Sequence, residues 1–178
     1  MSRALGALVA GLVLLALGAC SSSDTEPEPV DDAAFVTELM HRDAALLNLL
    51  DVSLGKPLPG PLSATVDTAR ADAGARIETA ADLLEESGEE IPVTVRDHGI
   101  DHGIEADAPE LEGAPTEADI HGLEELDGDA FVTAFTDLLR TTSRTTKDAA
   151  SYDGTDQPTA ELAEAAERQS QDVLDALG

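Results

Sequence analysis

The sequence predicts an all-α domain, an antiparallel four-helix bundle made of two helical hairpins joined by a long crossover linker. Three observations carry that expectation. Aromatic residues make up 2% of the 178 residues, with no Trp, which disfavours a β-sandwich. Hydrophobic residues, at 42%, are enough to build a core in a chain of this length. Beyond residue 31, four one-sided apolar stripes recur at helical spacing, arranged as two similar halves. One half opens Asp32-Ala33-Ala34-Phe35-Val36-Thr37, the other Gly128-Asp129-Ala130-Phe131-Val132-Thr133-Ala134-Phe135.

The first stripe consists of Phe35, Leu39, Leu46, Leu49 and Leu50, with Val36, Met40 and Leu47 beside it. Its helix is expected to end near Leu54, before Gly55-Lys56-Pro57-Leu58-Pro59-Gly60. Pro61 suits the first turn of the next helix, whose stripe is Leu62, Val66, Ala69, Ala73, Ile77, Ala80 and Leu84, closing at Ser87-Gly88. The third stripe is Phe131, Phe135, Leu138, Thr142, Thr145, Ala149 and Tyr152, closed by Asp153-Gly154. The fourth starts around Pro158 and carries Leu162, Ala166, Gln169, Val173 and Ala176/Leu177. Short turns within each half make two hairpins, residues 32–90 and 128–178. The linker, residues 91–127, is long enough to cross the bundle from end to end.

The first residues predict an address. Residues 1–19 have a basic start, an apolar run from Ala4 to Leu17, and Gly18-Ala19 before Cys20, the pattern of a secretory signal peptide. Cys20 is the only cysteine, and Leu17-Gly18-Ala19-Cys20 resembles the lipobox of bacterial lipoproteins, in which that cysteine is diacylated. A plain secretory signal with a cysteine nearby is the alternative. Two acyl chains such as palmitate would hold the protein on the outer face of the cytoplasmic membrane without a transmembrane helix. Residues 20–31 then form a polar, Pro-containing tether, expected to be disordered, and residues 32–178 form the bundle domain.

With 10 Lys+Arg against 37 Asp+Glu, the formal net charge is -27. That excludes nucleic acid as a partner, which needs clustered basic residues, and disfavours direct docking on anionic lipid. Catalytic signatures are missing as well. The sequence has no Gly-x-Ser-x-Gly, no Gly-x-Gly-x-x-Gly and no P-loop, so the expectation is a protein that is not an enzyme.

Polar residues interrupt the apolar stripes near mid-helix. Arg42 shares the Phe35/Leu39/Leu46 face, with Asp43 adjoining, and Arg76 borders the Ala73/Ile77/Ala80 face. Thr142 and Ser143 interrupt the third stripe, and Gln169 and Asp172 the fourth. In a bundle these stand at a similar height and form one polar layer. Arg42 and Arg76 should pair there with Asp43 and Asp172, or else extend to solvent.

These residues carry a resemblance. Phe35-x-x-x-Leu39-Met40-His41-Arg42-Asp43-x-x-Leu46 resembles the opening motif of the domain of unknown function 305 family: Phe, a methionine pair, then two adjacent histidines. Phe135-x-x-Leu138-Leu139-x-x-Thr142-Ser143 resembles its second copy, after the lead-in from Leu123 to Phe131. Gln169-Ser170-Gln171-Asp172-Val173 keeps a version of the family's closing Gln-x-x-Glu-Ile, which Ala73-Gly74-Ala75-Arg76-Ile77 has lost. The resemblance implies a ferritin-like four-helix bundle, often exported and linked to copper or other metal handling. The departures fall on the chemistry: Arg42-Asp43 and Thr142-Ser143 replace the histidine pairs, and one thioether of four remains. The family metal site is therefore expected to be degenerate. The domain of unknown function 4142 family, second in likeness, shares the Phe-led helices and the lead-in.

Three of the four histidines lie in the linker. Asp97-His98-Gly99-Ile100-Asp101-His102-Gly103-Ile104 is a tandem repeat, and His121 follows. Imidazole with carboxylate suits copper or zinc, although two glycines argue against a helix and the ligands are few for a closed site. The primary expectation is a lipid-anchored envelope protein with a binding or accessory role, no cofactor, and a protein or small-molecule partner. The alternative is a divalent-metal homeostasis lipoprotein using His98, His102, Asp97, Asp101 and His121.

Overall fold

A computed structural model describes residues 30–92 and 110–178. Among the described residues there are five helices and no strand: α1 (Asp32–Asp51), α2 (Gly60–Ser87), α3 (Glu117–Glu124), α4 (Gly128–Ala149) and α5 (Gln157–Leu177). Local chemistry explains most of their ends. Asp31 accepts from the Ala34 N–H at 3.1 Å and Asp156 from the Thr159 N–H at 3.0 Å, meeting donors that a helix start leaves free. Pro61 and Pro158 stand in first turns, where a missing N–H costs nothing. Gly88, at φ 78°, adopts the left-handed conformation that closes α2.

Two ends differ from expectation. α1 stops at Asp51, not near Leu54, because Ser53 turns its hydroxyl back onto the Leu50 carbonyl and Leu54 swings out to 65% exposure. α4 stops at Ala149, three residues before Tyr152. The Tyr152 hydroxyl donates to Asp32 and accepts from the Asp156 N–H, and its ring packs on Phe35 at 4.9 Å. A residue so engaged across the end of the molecule cannot continue a helix. The linker also contains a helix that hydrophobic spacing does not announce. Its cause is the capping box of Thr116 and Asp119 at the start of α3.

α1 packs on α2 and α4 on α5, while α2 meets α5 and α1 meets α4. Arg70 Nε reaches Asp51 at 3.0 Å while Arg76 reaches Asp43, so α1 and α2 run in opposite directions. Arg140 donating to the Leu177 carbonyl (3.2 Å) and Lys147 to Gln171 (2.7 Å) give the same sense for α4 and α5. The end of α2 lies beside the start of α5, where Leu84, Ser87, Pro158 and Thr159 line one cleft. α4 begins at the opposite end, where Lys56 donates to the Glu124 and Leu126 carbonyls and sits 4.8 Å over the Phe131 ring. α2 therefore finishes at one end of the helices and α4 begins at the other.

The core is buried where the four stripes meet. Leu39, Met40, Leu49, Leu50, Leu84, Phe131, Phe135 and Leu139 are all less than 2% exposed. Each such side chain contributes about 1.5–3 kcal/mol relative to exposure. The third stripe is rotated from its expected phase. Leu139, Ser143 and Thr146 are buried with Phe131, Phe135 and Thr142, whereas Leu138, Thr145 and Ala149 are half-buried. No described helix is long and apolar enough to cross a membrane.

Candidate functional site

The interruptions of the α1 and α2 stripes meet inside the molecule. The opposite run of the two helices sets Asp43 level with Arg76, and both side chains are withdrawn from solvent, at 3% and 6% exposure. Arg76 Nε donates to Asp43 Oδ2 at 3.0 Å, and Nη2 donates to Asp43 Oδ1 as well, a bidentate fork. Nη2 also donates to Gln169 Oε1 at 2.7 Å, which ties α5 to the pair. Gln169 Nε2 in turn donates to the Ala69 carbonyl at 3.4 Å. Burial pushes the Asp43 carboxyl above its ordinary value, and the Arg76 charge and hydrogen bonds work against that rise.

Arg42 behaves differently from its expected role. It is buried, yet it pairs with neither Asp43 nor Asp172. Its Nε and Nη2 lie 3.0 and 2.9 Å from Glu38 Oε1, one turn back on α1, and Nη1 donates to the Glu112 carbonyl at 3.2 Å. Adjacent helical positions point about 100° apart, so with Asp43 facing α2 its neighbour faces the returning linker. Beside that contact, Gly113 takes φ +71°, and a Cβ there would stand 2.3 Å from Thr145. Asp172 is exposed and takes no part in the layer, because Val173 holds the inward position of that turn.

Thr142 and Ser143 are buried on α4, at 2% and 3% exposure, but the Thr142 hydroxyl has no hydrogen-bond partner among the described residues and makes no bond to the Arg76 cluster. Among the described residues, four further buried hydroxyls, Ser53, Thr146, Thr159 and Ser170, escaped the sequence reading. Thr146 was within reach of it, one turn beyond Thr142. Its neighbour Thr145 fitted the expected stripe only because that stripe was phased one residue off.

Cys20 and the linker residues Asp97, His98, Asp101 and His102 lie outside the described residues. His121 is exposed on α3, with Nδ1 3.2 Å from Glu124 and Nε2 3.5 Å from Glu117. Among the described residues, no three His, Cys, Asp or Glu side chains are placed to hold a metal ion. His41 is half-buried, and burial lowers its pKa.

The interior residues make a poor donor set for copper or zinc. A guanidinium has no lone pair to give, and both Asp43 oxygens are engaged by Arg76. No step through a metal can be drawn from them. The cluster does open on one side, at a groove of about 420 Å³ between α2 and α5 with Arg76 and Gln169 in its wall.

No family model matches the chain, and no curated protein matches it. The fold is similar to that of a DUF305 fragment. That crystal structure, from Deinococcus radiodurans, superposes with a TM-score of 0.66 over 82% of this chain and 91% of that one, at 13% sequence identity. The likeness is one of fold, with a structure from the family that the Phe-led motifs of both halves resemble. In both halves the positions where the family pattern has paired histidines are interior: Arg42 and Asp43 in one, Thr142 and Ser143 in the other.

Proposed function

We propose that the chain is a lipid-anchored protein of the bacterial cell envelope, held by acylated Cys20. Its ferritin-like antiparallel four-helix bundle serves a binding or accessory role rather than catalysis. The observation that carries this reading is the interior cluster of Arg76, Asp43 and Gln169. Where the resembled family has a metal-ligating layer, an ion pair and an amide crosslink three helices instead. Such a cluster positions helices, and its arginine keeps its charge throughout the accessible pH range.

Two measurements test the reading. Isotopic palmitate should label the expressed chain and not the Cys20→Ala variant, which should leave the membrane fraction; an unlabelled membrane-bound Cys20→Ala protein would overturn the anchor. Calorimetric titration of the full chain with Cu(II) and Zn(II) should give only weak, salt-sensitive heats. Micromolar binding lost on His98→Ala with His102→Ala would replace this reading by that of a metal-homeostasis lipoprotein.

A further inference from the structure

We propose that the turn between α1 and α2, residues 54–61, docks into an aromatic-lined groove of a second protein that carries basic side chains along one margin. The proposal gives the binding role above a surface and a kind of partner, and rests on it. From Val52 to Val66 the sequence has no acid, in a chain with 37 Asp+Glu, and its one charge is Lys56.

The turn holds its apolar groups in a set conformation. Ser53 returns its hydroxyl to the Leu50 carbonyl and Gly55 takes φ 80°. Leu54, between them, is the most exposed large hydrophobic side chain among the described residues. Pro57, Pro59 and Pro61 are exposed as well, while Leu58 packs half-buried against the core. Pro59 stands at φ -55° and ψ 141°, in the polyproline II region, and the prolines that follow Lys56 and Leu58 disfavour helix at both. Lys56 turns its charge inward, donating to the Glu124 and Leu126 carbonyls beneath the turn and lying over the Phe131 ring. What remains outward is one leucine and three prolines.

A single exposed leucine is ordinary on any protein surface. Exposed prolines beside it, alternating with an inward leucine, make a continuous apolar ridge instead. Pinned at Lys56 and Leu58, the ridge has little conformational freedom to lose on binding. Its exposed rings suit the faces of Trp, Tyr and Phe, as polyproline II segments generally do.

The basic margin follows from charge. The corner between α3 and α4, to which Lys56 ties the turn, carries Glu124, Glu125, Asp127 and Asp129, all exposed. Asp51 and Asp67, which bracket the turn in sequence, are both engaged by Arg70. Excess carboxylate therefore flanks the ridge on the α3–α4 side, and Lys or Arg on the partner complements it there. The 20 residues of α1 set the turn about 30 Å from Asp32, so a chain entering at the start of α1 leaves the ridge at the far end of the bundle.

Photo-crosslinking of the full chain in its native cells tests this, with p-benzoylphenylalanine placed at Leu54 or, as a control, at Glu164, exposed on α5. The expected result is a discrete adduct from the Leu54 position and none from Glu164. Mass spectrometry should map that adduct to another protein, in a groove lined by Trp, Tyr or Phe with Lys or Arg beside it. Pro59→Ser removes a ring but supplies a hydroxyl suited to capping α2, so the bundle should keep its unfolding temperature. That substitution, and separately Glu125→Lys with Asp129→Lys, should each reduce the adduct at least ~10-fold. The proposal is overturned by no adduct from Leu54, an equal one from Glu164, or a yield that survives either change. A crosslink to a second copy of this chain, to lipid or to a groove without aromatics overturns it too. Any of those leaves the palmitate and metal titrations standing, so the two readings fail separately.

Discussion

The first hairpin buries long aliphatic side chains on α1, from Leu39 and Met40 to Leu49 and Leu50, against a face of α2 built largely from Ala69, Ala73 and Ala80. Among them it buries three charges, Arg42, Asp43 and Arg76. The second hairpin places Phe131 and Phe135 at one end of α4, and beyond Leu139 its buried positions become Thr142, Ser143 and Thr146, while α5 buries Thr159, Ala163, Ala166 and Ser170. Two halves with matching openings have thus solved the interior problem in two ways. Charge is admitted in the first half only where a partner of fixed geometry meets it: Asp43 for Arg76, Glu38 and a linker carbonyl for Arg42. Hydroxyls in the second half ask for less, since a Ser or Thr can bond to its own helix one turn back, as Thr145 and Thr141 do. Gln169 is the exception that joins the halves, a buried amide of α5 bonded to the Arg76 guanidinium and the Ala69 carbonyl of α2.

The sharpest way to break this contrast is Arg76→Met. It leaves Asp43 buried without its fork and should cost about 3 kcal/mol in urea unfolding. The double variant Asp43→Leu with Arg76→Met should recover most of that loss, because the cost comes from the orphaned charge. If the double variant is as unstable as the single one, the pair matters for shape rather than for charge.

Arg42→Met should cost less, about 1.5 kcal/mol, since Glu38 is half-exposed and can turn to water. Its clearer signature is faster amide exchange around Glu112 and Gly113, which lose their tie to α1. In the second hairpin the sign reverses. Thr142→Val removes a buried hydroxyl that has no partner among the described residues and should stabilise the protein by about 1 kcal/mol. A loss of similar size would show that the hydroxyl is hydrogen-bonded after all.

Titration gives the smallest effect, and within α1 it runs in two senses. The folded Asp43 carboxyl holds its proton more tightly than the unfolded one, whose ordinary value is 3.8. Stability from this group is therefore absent at neutral pH and grows as pH falls through the raised value toward 3.8. Asp43→Asn cannot titrate, so the difference between wild type and variant should move in favour of wild type across that window. His41 works in the opposite sense. Its folded value lies below 6.5, so its contribution is lost as pH falls through 6.5, and His41→Gln should flatten that part of the stability curve.

Sequence alone made the four long helices and their approximate ends legible, because apolar spacing, Pro61, Pro158 and Gly88 act within a few residues of where they stand. It also marked Arg42, Asp43, Arg76, Thr142, Ser143 and Gln169 as interruptions of buried faces, and all six are buried. It did not foresee α3, whose Thr116–Asp119 box is local but carries no apolar stripe. It misjudged Asp172, which lies on the rim one step from Val173, and it phased the third helix by the wrong neighbour. Which arginine meets which acid depends on the register of one helix against another and on the direction each side chain leaves its helix. A rotation of about 100° separates Arg42 from Asp43, and the sequence does not print it. Periodicity determined that charges would be carried inside this protein. Only the packing of α1, α2 and α5 decided that Asp43 and Gln169 would share Arg76, while Arg42 turned away to hold the linker.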